Sequence, residues 1–94
     1  MAMSEGAAEA LGVSVLGWFA EDRDRLGRFL AMTGAAPEDL RAQARDPAFL
    51  GFVLDHLLGH EPDLIACCEA LGIPPERPAE ARAALPGGDL PHWT

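Results

Sequence analysis

The stretch that decides the fold is DPAFLGFVLDHLLG, Asp46 to Gly59. Phe49, Leu50, Phe52, Val53, Leu54, Leu57 and Leu58 recur at three- and four-residue steps and cover about two-thirds of a helical wheel. Only Gly51 and Asp55 leave a polar strip. A helix so apolar must be surrounded by other elements. Asp46 is a cap, and Pro47 takes the first helical position, where its missing N–H has no partner to lose. Gly59 ends the run. The spacing therefore predicts a central helix over 47–58, with the rest of the chain wrapped around it.

Working outward, each flank carries helical periodicity and no alternating strand pattern. Downstream, 62–71 presents Leu64, Cys67, Cys68 and Leu71 on one face, and Gly72 closes it. A last helix is expected over 79–85, after Pro78 and before Pro86-Gly87-Gly88. Upstream, 37–45 offers only Leu40 and Ala44 and belongs on the surface. Between an Asp22 cap and Gly34, a helix carries Leu26, Phe29, Leu30 and Thr33 inward, with Arg25 and Arg28 facing out. The first helix runs from Ser4 to Ala20 with Ala8, Leu11, Val15, Trp18 and Phe19 on its core face. Gly6, Gly12 and Gly17 weaken it by roughly 1 kcal/mol each relative to alanine, so tertiary packing must hold it. The expectation is an all-α fold, a compact bundle of five to six short helices around the 47–58 helix. One helical domain covers 1–86, and 87–94, GGDLPHWT, forms a flexible tail.

The composition narrows the function classes. Ninety-four residues support one modest core, which removes roughly 60–70% of the unfolded surface from water. Fifteen acids face seven arginines and no lysine, a net charge of −8. Phosphate backbones are held by cationic contacts, and here Glu21, Asp22 and Asp24 offset the cluster Arg23, Arg25 and Arg28. Neither nucleic acid nor a membrane is an expected partner; no apolar run approaches eighteen residues. Glu5 and Glu9 without a nearby cation argue against a signal peptide. The adjacent Cys67 and Cys68 cannot pair with each other on a helix without strain, which suits a reducing compartment. A cytoplasmic location is expected.

The chemistry-bearing residues crowd into LDHLLGHEPDLIACC, Leu54 to Cys68. His56 and His60 have the i, i+4 spacing of a metal-chelating pair, but Gly59 and Glu61-Pro62 interrupt the shared face. His60 is read as a turn or cap residue, and His56 as a partly buried histidine with one hydrogen-bond partner. Zinc or iron held by His56, His60 and a carboxylate, Glu61 or Asp55, is the competing reading. Asp55 needs a donor, an arginine, a backbone N–H or His56, and a structural ion pair is the default. Cys67 and Cys68 read as small core hydrophobes, since a reactive thiolate wants a cationic setting. No phosphate loop or nucleophile elbow occurs. No catalytic, cofactor-binding or metal residue is assigned, and no cofactor is expected.

The run Arg25 to Leu58 carries Arg28-Phe29-Leu30, Thr33-Gly34, the turn Glu38 to Arg41, Asp46 to Leu50 and Val53 to Asp55. With the closing pattern Glu61, Ile65, Glu69, Gly72 and Pro75-Glu76, it resembles a family of small, mostly alphaproteobacterial proteins that form a domain of unknown function. The resemblance covers nearly the whole chain. It implies a small all-helical domain without an established activity, and a plain hydrophobe or aromatic at the position of His56. The functional expectation is a small non-catalytic protein-interaction module. It self-associates or holds an amphipathic partner helix in a groove, with Leu90 and Trp93 as candidate contact residues. The alternative is a metal-binding enzyme or sensor using His56, His60 and a nearby carboxylate.

Overall fold

A computed structural model describes residues 3–86, so the expected tail over 87–94, with Leu90 and Trp93, lies outside the described residues. Among the described residues every regular element is helical. In chain order they are α1 (Glu5–Ala20), α2 (Arg23–Thr33), a 3-10 turn (Pro37–Asp39), α3 (Leu40–Gln43), α4 (Pro47–Leu58), α5 (Glu61–Leu71) and α6 (Arg77–Ala84).

The caps follow from residue chemistry. The Ser4 hydroxyl accepts the Ala7 N–H at 3.1 Å, and one Asp22 oxygen accepts from both Asp24 and Arg25. Asp46 accepts from Ala48 at 3.0 Å. Each satisfies backbone donors that the first helical turn leaves without partners. Those two bonds hold the Asp22 carboxyl below its ordinary range, the one from Arg25 being the larger cause. At the other ends, α2 and α5 stop at Gly34 and Gly72, which take left-handed φ values of 74° and 68°. A side chain at either would be strained.

The core joins α1 to α4, with α6, α2 and α5 packed around the pair. Val15, Trp18 and Phe19 come from α1, Phe29 from α2, and Phe49, Leu50, Val53, Leu54 and Leu57 from α4. Cys67, Ala81 and Leu85 complete the cluster. Phe29 stands between Phe19 (centroids 5.6 Å apart, stacked) and Phe49 (5.8 Å, edge-on), so three elements meet on one aromatic column. Helices of eight to twelve residues are marginal in isolation, so this shared burial is what holds them.

The α4 boundaries agree with the sequence reading, but its surroundings differ. The helix is not immersed on every side: Phe52, placed on the apolar sweep, is 56% exposed. Gly51, read as polar strip, is buried instead beneath the Arg82 guanidinium of α6; a Cβ there would sit 2.9 Å from Arg82 Nη1. Arg25 does not face out. Its guanidinium carbon lies 3.6 Å from the Trp18 ring centroid, a cation–π contact of about 1–2 kcal/mol when partly desolvated. The surface helix expected over 37–45 is a 3-10 turn and one short helical turn, with no buried residue. The last helix begins at Arg77, not after Pro78, because a proline is tolerated in the first turn.

Leu50 and Gly12 show why glycine sits within α1. A Cβ at Gly12 would stand 3.0 Å from Leu50 Cβ, an atom fixed to the backbone of α4, whereas one at Gly17 meets nothing within 4 Å. Alanine gains up to about 1 kcal/mol of helix propensity at either position, but crowding a packed contact costs about 1–3 kcal/mol. Gly17→Ala is therefore expected to raise the urea midpoint and Gly12→Ala to lower it. Equal shifts in the same direction would mean that α1 does not approach α4 so closely.

Candidate functional site

A groove opens between α2 and α4. Met32 and Thr33 form one wall and Phe52, Asp55 and His56 the other. The opening continues past Gly59 to Arg28 on α2 and to His60 and Asp63 at the start of α5. Helical spacing puts these side chains together: Phe52, Asp55, His56 and Gly59 stand three or four apart on one side of α4, and Arg28 and Met32 four apart on α2. Met32 is 76% exposed, and with Phe52 it gives the groove two apolar lips.

His56 forms part of the floor. Its ring meets Phe19 at 5.3 Å and Phe29 at 5.4 Å, both edge-on. The expected hydrogen-bond partner is replaced by two rings, so the residue packs as an aromatic, as the family resemblance implied for this position. Burial is the main cause that lowers its pKa; Asp63 opposes the effect, and Arg28 and His60 add to it. A neutral imidazole suits this apolar setting, and an imidazolium does not.

The other candidates divide between structural bonds and exposed positions. Asp55 Oδ1 accepts from Arg82 Nε at 2.6 Å, an ion pair with the arginine that the sequence left unspecified. Gly51, one turn earlier, leaves room for that guanidinium to lie flat on α4. His60 occupies the N-cap position of α5 without a side-chain capping bond, and its Nδ1 lies 3.2 Å from Asp63 Oδ2. Arg28 Nη2 approaches the same oxygen at 3.4 Å. Glu61 is exposed and does not line the groove. Three of the four sequence candidates, Asp55, His56 and His60, thus share one opening. Yet among the described residues no three His, Cys, Asp or Glu side chains are grouped so that they could hold a metal ion.

The cysteines lie elsewhere. Both are buried and free. Burial, followed by the neighbouring Cys68, pushes the Cys67 thiol up to about 12, and burial raises Cys68 as well. Thiols held protonated are poor nucleophiles. The groove itself offers two apolar lips, two imidazoles, two ion-paired carboxylates and one exposed guanidinium. That inventory suits recognition of an apolar side chain with polar contacts at its ends.

Residues 5–88 match the family described as "Protein of unknown function (DUF3572)". The chain belongs to that family. The DUF3572 match brings no activity with it, so the arrangement of side chains has to carry any reading of function. No curated protein and no solved structure matches the chain. Among the described residues no helix is long and apolar enough to cross a membrane.

Met32, Phe52, Arg28 and Asp63 are among the groove residues that sequence reading missed, Phe52 because it was read as core. Met32 and Arg28 carry no signal of their own, since both look like solvated helix positions. Asp63 had one: it stands three residues after the cap position His60, the spacing at which an N3 acid reaches back.

Because burial depresses His56, the unfolded chain takes up its proton first as pH falls. Stability is whole above the unfolded histidine value of about 6.5 and declines as pH drops through it, until the folded imidazole is protonated as well. His56→Phe is expected to keep the ring contacts and to flatten the decline that sets in as pH falls through about 6.5. Urea unfolding at a series of pH values measures this. An unchanged slope in the variant would assign the decline to other groups.

Proposed function

We propose that this domain is a non-catalytic, cytoplasmic protein-interaction module that receives an amphipathic helix of another protein in the α2–α4 groove. The observation that carries the reading is the pair Met32 and Phe52, 76% and 56% exposed, which line one groove together with Thr33, Asp55 and His56. Leaving two large apolar side chains in water beside a concavity forgoes burial worth about 1.5–3 kcal/mol each, and an apolar anchor recovers it. Methionine suits such a lip because its unbranched thioether adapts to the shape it meets. The polar ends bias the partner. Asp55 keeps half its side-chain surface exposed beside Phe52, and the chain as a whole carries −8. A helix with a bulky apolar anchor flanked by arginine or lysine fits this surface.

The test compares the wild-type chain with a Met32→Ser, Phe52→Ser double variant, both first shown to be folded by circular dichroism. Bait loaded at micromolar concentration should retain a partner that the double variant loses. A partner held equally by both, or none held by either, sinks this assignment of the groove.

A second reading has one observation in its favour: Asp55, His56 and His60 line the same opening. In it, side-chain rearrangement frees His60 from Asp63 and brings two imidazoles and a carboxylate to zinc or iron as a sensor or enzyme centre. Protein purified without a histidine tag and analysed for metals distinguishes the two. The interaction reading expects less than a tenth of an equivalent of metal. Stoichiometric metal that disappears in His56→Ala would replace it with the second reading.

A further inference from the structure

We infer that Met32 is a redox modification site: a peroxide converts its thioether to the sulfoxide, and the new oxygen draws the Arg28 guanidinium from Asp63 onto the lip of the groove. As regulation this rests on the reading of the groove as a receiving site, and it names the covalent change that closes that site to an apolar anchor.

Accessibility selects the sulfur. Among the described residues, sulfur is carried by Met3, Met32, Cys67 and Cys68. Both cysteines are buried, and burial pushes the Cys67 thiol up to about 12. A thiol held protonated reacts slowly with peroxide, because the thiolate is the nucleophile. Met3 is partly buried and packs against the core. Met32 is 76% exposed and lines both parts of the groove. A thioether has no proton to lose before it reacts, so exposure decides which methionine is reached first.

The reaction balances with hydrogen peroxide as the sole co-reactant. The sulfur lone pair attacks one peroxide oxygen, and the O–O bond breaks as the S–O bond forms. The proton on the transferred oxygen passes to the departing one, which leaves as water. Sulfur gives up two electrons and the peroxide takes them. Methionine sulfoxide reductase, supplied with a thiol, reverses the change.

Arg28 supplies the response. It stands one turn before Met32 on α2 and lines the same opening, and side chains at that spacing are neighbours. Its hold on Asp63 is loose: Nη2 lies 3.4 Å from Oδ2, and the side chain is 56% exposed. His60 Nδ1 lies 3.2 Å from the same oxygen, so Asp63 keeps a polar neighbour when Arg28 leaves. A thioether is a weak acceptor, whereas a sulfoxide oxygen is polar and accepts strongly. The Thr33 hydroxyl beside it already donates to the Phe29 carbonyl at 3.0 Å. Oxidation therefore exchanges an apolar lip for a polar one capped by a guanidinium. An anchor that buries Met32 loses that burial, which weakens its binding roughly ten- to a hundredfold.

The experiment treats the full 94-residue chain with graded hydrogen peroxide and maps the added oxygen by mass spectrometry. The Arg28 Nε–H signal is followed by NMR in parallel. Met32 should take up oxygen before Met3 does. The Arg28 signal should move in step with that uptake and return after methionine sulfoxide reductase with dithiothreitol. In peroxide-treated Met32→Leu it should stay still. The urea midpoint of the oxidised wild type should not fall, since an exposed lip supports no core. Met3 oxidised as fast as Met32, or a midpoint that falls with Met32 oxidation, overturns the assignment of the site. An unmoved Arg28 signal at complete Met32 oxidation overturns the response. If the uptake and the Arg28 signal behave as expected but the reduced wild type retains no partner, the modification stands and the groove reading fails.

Discussion

The structure depends on how closely α1 can lie against α4. The chain has one core, and α1 and α4 supply most of it. Gly12 faces Leu50 across their contact, with no room for a side chain between them. Bringing the backbones together there lets Val15, Trp18 and Phe19 meet Phe49, Val53 and Leu57 in one cluster. The glycine that weakens α1 as an isolated helix is what lets it stand as part of a bundle. Local propensity and tertiary packing conflict at this position, and packing wins because it acts on many side chains at once.

Around that pair, the shorter helices are held by one or two deep contacts each. α2 depends on Phe29, stacked on Phe19 and edge-on to Phe49. Arg25 over Trp18 reinforces its N-terminal turn. α6 depends on Ala81 and Leu85 and on Arg82, whose guanidinium lies on Gly51 and bonds to Asp55. Anchoring α2 near its middle by Phe29 leaves Met32 and Thr33 to line an opening with Phe52, Asp55 and His56 of α4. The groove is what remains where the aromatic column ends, and His56 is the last ring of that column.

Much of the fold was legible because its punctuation is chemically unambiguous. Ser4, Asp22 and Asp46 can cap, Pro47 can only open a helix, and Gly34 and Gly72 can turn left-handed where other residues are strained. The candidate site was harder to read. Wheel arithmetic gives the direction of a side chain, but not what stands opposite. Phe52 was placed inward because it continues the Phe49 and Leu50 sweep, yet it lines the open groove and is 56% exposed. Arg25 was placed outward because it is charged, although Trp18 offers it a flat apolar face. Asp55 was read as needing a donor, an arginine, a backbone N–H or His56, and only the tertiary path of α6 shows that the donor is Arg82.

The same geometry explains how a core face and a groove wall share one helix. α4 is fixed on its inner side by Leu50, Val53, Leu54 and Leu57, all essentially inaccessible to water. Its outer side, Phe52, Asp55 and His56, is therefore presented from a rigid support, and an incoming group meets side chains already ordered. His56 links the two sides, with its edges against Phe19 and Phe29 and its position on the groove floor. A charge placed on that imidazole acts on the aromatic column and on the groove together. A phenylalanine would pack as well but leave the floor wholly apolar. What the histidine adds to a ring that packs like phenylalanine is a polar, titratable group beside the groove.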